Sequence, residues 1–78
     1  MRTAEMVERG LLPIGTVLMI KGSPNSEAKV ISPKLVEYQR EQMTFLKWGK
    51  KVKGWTAIQI YKWAVLPNGE LLESLRRV

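Results

Sequence analysis

Residue types that perform much of enzyme chemistry are absent, since the sequence contains no histidine, no cysteine and no aspartate. Without histidine and cysteine there can be no Ser-His-Asp or Cys-His nucleophile, no disulfide and none of the usual zinc ligands. Without aspartate the common calcium and magnesium loops are also excluded. We therefore predict that the chain is not an enzyme, holds no metal and takes no cofactor or small-molecule substrate.

The remaining acids and the glycines do not change that prediction. Glu70 and Glu73 are three residues apart near the C-terminus, where a carboxylate pair for acid–base chemistry and a solvated helix face are both possible, and the solvated face is the simpler interpretation. The six glycines are dispersed singly, so no phosphate-cradling loop is formed.

Long apolar runs are also missing, because none approaches the roughly 20 residues that a membrane-spanning helix needs. The N-terminal segment MRTAEMVERG carries charges where a signal peptide requires an apolar stretch. We therefore expect a soluble, cytoplasmic protein with no membrane partner. At 78 residues, of which 45% are hydrophobic, the chain has material for one core, so residues 1–78 are predicted to form one domain.

Positive charge is concentrated in one part of the chain. The formal net charge is +6; residues 1–41 contribute +1 (six basic, five acidic), residues 42–69 contribute +5 (five lysines, no acid) and residues 70–78 contribute zero. An unopposed basic segment favours a polyanionic partner such as nucleic acid or anionic lipid. A solvated surface that keeps the protein soluble explains the charge equally well.

The first half of the chain predicts a short helix followed by strands. Thr3 as N-cap and Gly10 just past the end indicate a helix over residues 4–9, with Met6 and Val7 facing the core. Residues 16–21, 27–31 and 34–39 have strand-like composition or alternation. Residues 22–26 (GSPNS) are predicted to be a loop. Residues 40–43 either extend the sheet or lead out of it.

The second half predicts an amphipathic helix that begins after Thr44 and ends at Gly54. Phe45, Trp48 and Val52 recur at helical spacing and are assigned to the core, whereas the lysines at 47, 50 and 51 lie on the opposite arc. Gly49 inside the helix indicates either close packing or an early, irregular end.

The C-terminal part of the sequence is less decisive. Residues 57–66 fit a strand by composition and a helix by spacing, and we predict a strand for the second half of this segment. Pro67-Asn68-Gly69 predicts a turn, and residues 70–77 a short final helix. The predicted fold is therefore α+β: an antiparallel meander of three to four strands packed against an amphipathic helix, with short N- and C-terminal helices.

The candidate nucleic-acid-binding residues come from the lysine-rich segment: Lys47, Lys50, Lys51, Lys53, Trp55, Tyr61 and Lys62. Lysines can contact phosphates, and exposed aromatic rings can stack on a base or line a pocket for one flipped out of a duplex. Core filling is the alternative for Trp55 and Tyr61 in so small a domain.

Several short segments also resemble a known family. Residues 6–16 (MVERGLLPIGT) are similar to the opening of the restriction-enzyme adenine-methylase-associated (RAMA) domain, and residues 52–55 (VKGW) resemble its Gly-Trp segment. Ala28 and Val30 match its first alternating strand, Trp63 its second tryptophan, and Gly69 with residues 71–76 its ending.

The resemblance implies an accessory module that reads DNA, including modified DNA, in a restriction-modification context. Its parent or partner would be a methyltransferase or a restriction protein. A protein-interaction or oligomerisation domain without nucleic-acid binding remains the alternative prediction.

Overall fold

The computed structural model describes residues 2–77. In chain order its elements are α1 (Thr3–Glu8), β1 (Val17–Ile20), β2 (Ser23–Val30), β3 (Leu35–Tyr38), β4 (Glu41–Thr44), α2 (Phe45–Lys53), α3 (Ile60–Trp63), β5 (Ala64–Val65) and a C-terminal 3-10 helix (Leu72–Arg77). The strands form one antiparallel sheet in the order β4-β3-β2-β1-β5. The predicted α+β class is confirmed, and β5 adds a fifth strand to the predicted three to four.

Alternation of side chains gives the sheet one covered and one open face. The covered face holds Leu18, Ile20, Ala28, Val30, Val36, Tyr38 and Met43. Residues between them in the strands, such as Val17, Lys29 and Glu37, are exposed. The buried residues of the strands join Met6, Phe45, Trp48 and Leu72 from the helices in one apolar cluster. The helices therefore lie on a single side of the sheet.

The prediction of a loop over residues 22–26 is wrong, because β2 already begins at Ser23. Lys21 and Gly22 alone form the turn of the hairpin, with Gly22 at φ 76°, and Ile20 pairs with Ser23. The pairing register then shifts, and Asn25 adopts φ 62° in the irregular stretch. A β-bulge thus accommodates turn-favouring residues inside a strand.

Ser26 organises this bulge and connects it to α2. Its side chain is buried, and its hydroxyl accepts a hydrogen bond from the Ile20 N–H at 2.8 Å and donates to the Ser23 carbonyl at 2.6 Å. The Trp48 indole N–H donates to the Ser26 carbonyl at 3.0 Å. The Ile20 N–H and the Ser26 carbonyl, which lie at the bulge, therefore have side-chain hydrogen-bond partners.

The limits of α2 are the predicted ones. The Thr44 hydroxyl accepts a hydrogen bond from the Lys47 N–H at 3.2 Å, and Gly54 ends the helix at φ 70° with its N–H donating to the Lys50 carbonyl. Phe45 and Trp48 are buried, as predicted. Residues 40–43, which the sequence left undecided, belong to the turn before β4 and to β4 itself.

Gly49 is in α2 because another segment packs directly on it. A Cβ atom at this position would lie 2.8 Å from Cδ1 of Ile60 and 3.0 Å from Cδ1 of Ile58. Of the two predicted roles for this glycine, close packing is therefore the one observed. The contact presses the start of α3 and the residues before it against the helix.

The N-terminal helix is confirmed, but its predicted cap is wrong. The N-cap residue is Arg2, without a side-chain hydrogen bond, and the Thr3 N–H donates instead to the hydroxyl of Tyr61 at 3.1 Å. One of the free N–H groups at the start of α1 is therefore satisfied by Tyr61, which is distant in sequence, and not by a neighbouring cap residue. Gly10 follows the helix at φ 77°, as predicted.

Residues 57–66 divide between the two structures that the sequence allowed. The predicted strand is wrong for Lys62 and Trp63, which end α3, and right for β5, which pairs with β1. The Lys21 N–H donates to the Trp63 carbonyl at 2.7 Å, so the helix stops where the chain reaches the edge of the sheet. The predicted final helix is of the 3-10 type.

Candidate functional site

Two indole rings meet where α2 ends and α3 joins β5, one exposed and the other partly buried against the core. Trp55 follows Gly54 and retains 43% of its surface, and Trp63 is the last residue of α3. The two ring centroids are 5.1 Å apart at an interplanar angle of 79°, an edge-to-face contact. We call Trp55 and Trp63 the tryptophan pair. Trp63 packs partly against the core and Trp48 is fully buried, so the exposed indole of Trp55 is the feature that needs a function.

The ammonium group of Lys53 lies over both rings of the tryptophan pair. Its nitrogen is 4.8 Å from the centroid of Trp63 and 5.6 Å from that of Trp55. These are cation–π distances. The last turn of α2 therefore places a positive charge directly beside an exposed indole.

A groove of two adjacent concavities runs from this pair across the segment before α3. The first concavity, of about 480 Å³, is lined by the tryptophan pair and by Ala57, Ile58 and Gln59. The second, of about 290 Å³, shares Ile58 and Gln59 with the first and is bordered by Leu46, Tyr61, Lys62, Glu73 and Arg76. Both volumes are near the range of ligand-binding clefts, roughly 300 to 1,000 Å³.

The predicted lysines do not all lie at this groove. Leu46, Lys50 and Lys53 follow one another at i, i+4 and i+7, so they form one row along α2. Leu46 borders the second concavity and Lys53 covers the tryptophan pair, which places Lys50 on the row facing the groove. Lys47 and Lys51 are exposed further around the helix.

Lys51 already has an anionic partner within the chain. Its ammonium nitrogen is 2.9 Å from Oε2 of Glu41 on β4. The hydrogen bond from Lys51 lowers the pKa of the Glu41 carboxyl, and the charges of Lys51 and Lys47 lower this pKa further. Glu41 therefore stays ionised at neutral pH, and Lys51 offers an external anion less net charge than Lys47 or Lys50.

Tyr61 supports the groove rather than presenting a free ring. Its hydroxyl accepts the hydrogen bond from Thr3, and the guanidinium carbon of Arg76 lies 4.5 Å from its ring centroid. The ring also packs against the core cluster. The role of Tyr61 in the structure is thus to join α1, α3 and the 3-10 helix, which agrees with the core-filling alternative.

The site includes residues that sequence reasoning did not assign to it. Trp63 was singled out only through the family resemblance, and Ile58, Gln59 and Arg76 were not considered. The β1–β2 turn also comes close to the site, since a Cβ atom on Gly22 would lie 3.8 Å from the ammonium nitrogen of Lys53. The sequence signal that could have identified this site is the presence of both Trp55 and Trp63 in the basic segment 42–69.

The sequence was compared with protein-family models and with curated proteins, and neither comparison found a match. The resemblance to the RAMA domain therefore stays a prediction. Over residues 2–77, no group of three or more acidic side chains is arranged to hold a metal ion. In the same part of the chain, no helix is both long and apolar enough to cross a membrane.

Proposed function

We propose that the chain is a non-catalytic nucleic-acid-binding module that binds through the groove and the lysines beside it. The observation that carries the proposal is the exposed indole of Trp55, paired with Trp63 under the ammonium group of Lys53. Nucleic-acid-binding surfaces combine cations that contact phosphates with aromatic rings on which bases stack. This site joins both kinds of group within a few ångströms.

The distribution of charge supports the same ligand. Residues 42–69 contain five lysines and no acid. Lys62 lines the second concavity, Lys53 lies over the tryptophan pair, and Lys50 follows Leu46 and precedes Lys53 on the same row of α2. Such a surface attracts a polyanion over distances of about the Debye length, roughly 10 Å at 0.1 M salt. An acid-free segment would not by itself select nucleic acid, but the adjoining tryptophans add the means to bind bases.

The family resemblance indicates which DNA ligand and which protein partner should be tested first. It favours modified DNA as the ligand and a methyltransferase or restriction protein as the cytoplasmic partner. Adenine methylation is the modification to try first, because the resemblance is to a domain associated with adenine methylases.

Fluorescence anisotropy with labelled DNA tests the proposal directly. Methylated duplex, unmethylated duplex and single strand are each titrated at several salt concentrations between about 50 and 200 mM. We expect the logarithm of the association constant to fall linearly with the logarithm of salt concentration, with a slope of about 0.9 per phosphate contacted on a duplex. Absence of binding to all three ligands at the lowest salt would contradict the proposal.

A second candidate function, self-association, is favoured by the open face of the sheet. Val17 and Met19 on β1 are 40% and 39% exposed, and they border a concavity of about 350 Å³ together with Val65, Leu66 and Pro67. Glu27 also lines this concavity and Leu66 is buried, so the exposed apolar part consists mainly of Val17 and Met19. Exposed apolar surface marks interaction sites. Because the lysine-rich groove would repel a second copy, a dimer would use this face instead.

Light scattering over a range of protein concentrations tests self-association. If the open face joins two copies, the mass should rise toward twice that of the chain, and Met19→Lys should return it to the monomer value. Lys34→Met, which adds a methionine elsewhere on the surface, serves as the control. A constant monomer mass up to high concentration would rule this candidate out.

A further inference from the structure

We infer that the groove takes nucleic acid whose bases are unpaired, with one base stacked on Trp55; this inference rests on the proposed function. A base inside a duplex has both faces covered by its neighbours, so an aromatic side chain reaches a base face only where the strand is open. An exposed indole therefore has little to bind on an intact duplex. Trp55, 43% exposed at the mouth of a concavity, is suited to an open strand.

The lining of the first concavity supports a base rather than a phosphate as its occupant. Ala57 and Ile58 are apolar, the tryptophan pair is aromatic, and Gln59 supplies an amide. An amide has both donors and an acceptor, which can pair with the edge of an unpaired base. Duplex-binding surfaces, in contrast, direct half to two-thirds of their hydrogen bonds to phosphates and sugars.

Cations lie beside the tryptophan pair and in the lining of the second concavity, whereas the first concavity has none in its lining. Lys53 covers the tryptophan pair, and Lys62 and Arg76 border the second concavity, whose lining contains one acid, Glu73. A strand with a base on Trp55 would continue past the shared wall of Ile58 and Gln59 toward Lys62 and Arg76. Its phosphates would then contact Lys53, Lys62 and Arg76 while a base occupies the uncharged first concavity, as in single-strand-binding grooves.

The wall of the groove is held in place before any ligand binds. Ile58 and Ile60 pack directly on Gly49 of α2, and the side chain of Ile60 is buried. Residues 55–59 therefore have a fixed support although they form no helix or strand. Less ordering is then required on binding, which favours affinity for a flexible single strand.

Three probes of matched length test the inference: an oligothymidylate of about 12 nucleotides, an abasic strand with the same number of phosphates, and a duplex. We expect the oligothymidylate to bind most tightly and the abasic strand to bind more weakly. Trp55→Leu should weaken binding of the oligothymidylate about ten- to hundredfold, because a stacked base is lost. The same substitution should leave binding of the abasic strand within about twofold, because its phosphate contacts are unchanged.

Two control variants separate stacking from folding. Trp55→Phe keeps an aromatic ring and should retain most of the affinity for oligothymidylate. Ile14→Ala removes an exposed apolar side chain outside the groove and should change nothing. Circular dichroism melts confirm that each variant is folded before its binding is compared.

The outcomes distinguish this inference from the function on which it rests. If the duplex binds as tightly as the oligothymidylate, or if Trp55→Leu weakens all three probes equally, the inference fails while nucleic-acid binding stands. If the parent binds none of the probes at low salt, both fail. Loss of affinity confined to the oligothymidylate, restored by Trp55→Phe, supports the unpaired-base site.

Discussion

Trp48→Ala is expected to lower the free energy of unfolding by about 3 to 5 kcal/mol, which is enough to unfold a marginally stable domain of this size. The indole is completely buried at the centre of the face that α2 presents to the sheet. Its truncation would leave a large cavity. It would also leave the Ser26 carbonyl in the β2 bulge without the hydrogen bond that Trp48 donates at 3.0 Å.

Denaturant melts of the parent and of a matched variant in the same helix measure this effect. Lys47→Ala removes an exposed side chain one residue away and is expected to change stability by no more than about 0.5 kcal/mol. Trp48→Phe should fall between the two, because it keeps most of the ring volume but loses the indole N–H. Similar losses for Trp48→Ala and Lys47→Ala would show that the faces of α2 are assigned wrongly.

The double variant Lys50→Glu/Lys62→Glu is expected to weaken nucleic-acid binding by at least about fiftyfold at roughly 0.1 M salt. Lys50 lies on the row of α2 that faces the groove, and Lys62 borders the second concavity. Each lost phosphate contact removes a factor of about 8 at this salt concentration and about 0.9 from the salt slope for a duplex. The new carboxylates add repulsion, which increases the loss further.

The control for this variant has the same charge but a different location. Lys29→Glu/Lys34→Glu also lowers the formal net charge from +6 to +2, because each reversal changes the charge by two. Lys29 is exposed on the open face of the sheet, and Lys34 lies in the connection before β3. Binding should fall much less in this control. Equal losses in both variants would mean that binding depends on net charge and not on the groove.

Much of the architecture follows from local pattern. Thr44, the helical spacing of Phe45 and Trp48, and Gly54 predict α2 with its correct faces, because a cap, an apolar stripe and a left-handed terminal residue are all local signals. The alternation in residues 27–31 predicts the second half of β2, and the strand-like composition of residues 34–39 predicts β3. In these segments, burial on the covered face and intrinsic preference favour the same structure.

Two segments show what local preference left out: a strand where a loop was predicted, and the point at which a helix gives way to the predicted strand. Residues 23–26 contain proline and asparagine and still belong to β2, since the bulge lets Ser26 satisfy the Ile20 N–H. Residues 60–65 change from helix to strand where Ala64 and Val65 reach the free edge of β1. No property of either segment alone reveals the strand beside it, so these elements depend on tertiary structure.

Some features of the candidate site likewise follow from the sequence alone, and others depend on the tertiary structure. The sequence by itself determined that residues 42–69 are basic and that Trp48 belongs to the core. The charge of a segment depends only on its composition, and the buried face of a helix depends only on the spacing of its apolar residues. Only the tertiary structure brought Trp63 beside Trp55, paired Lys51 with Glu41 and covered Tyr61 with Arg76. Each of these contacts joins different elements, and their positions depend on how the helices pack on the sheet and on one another.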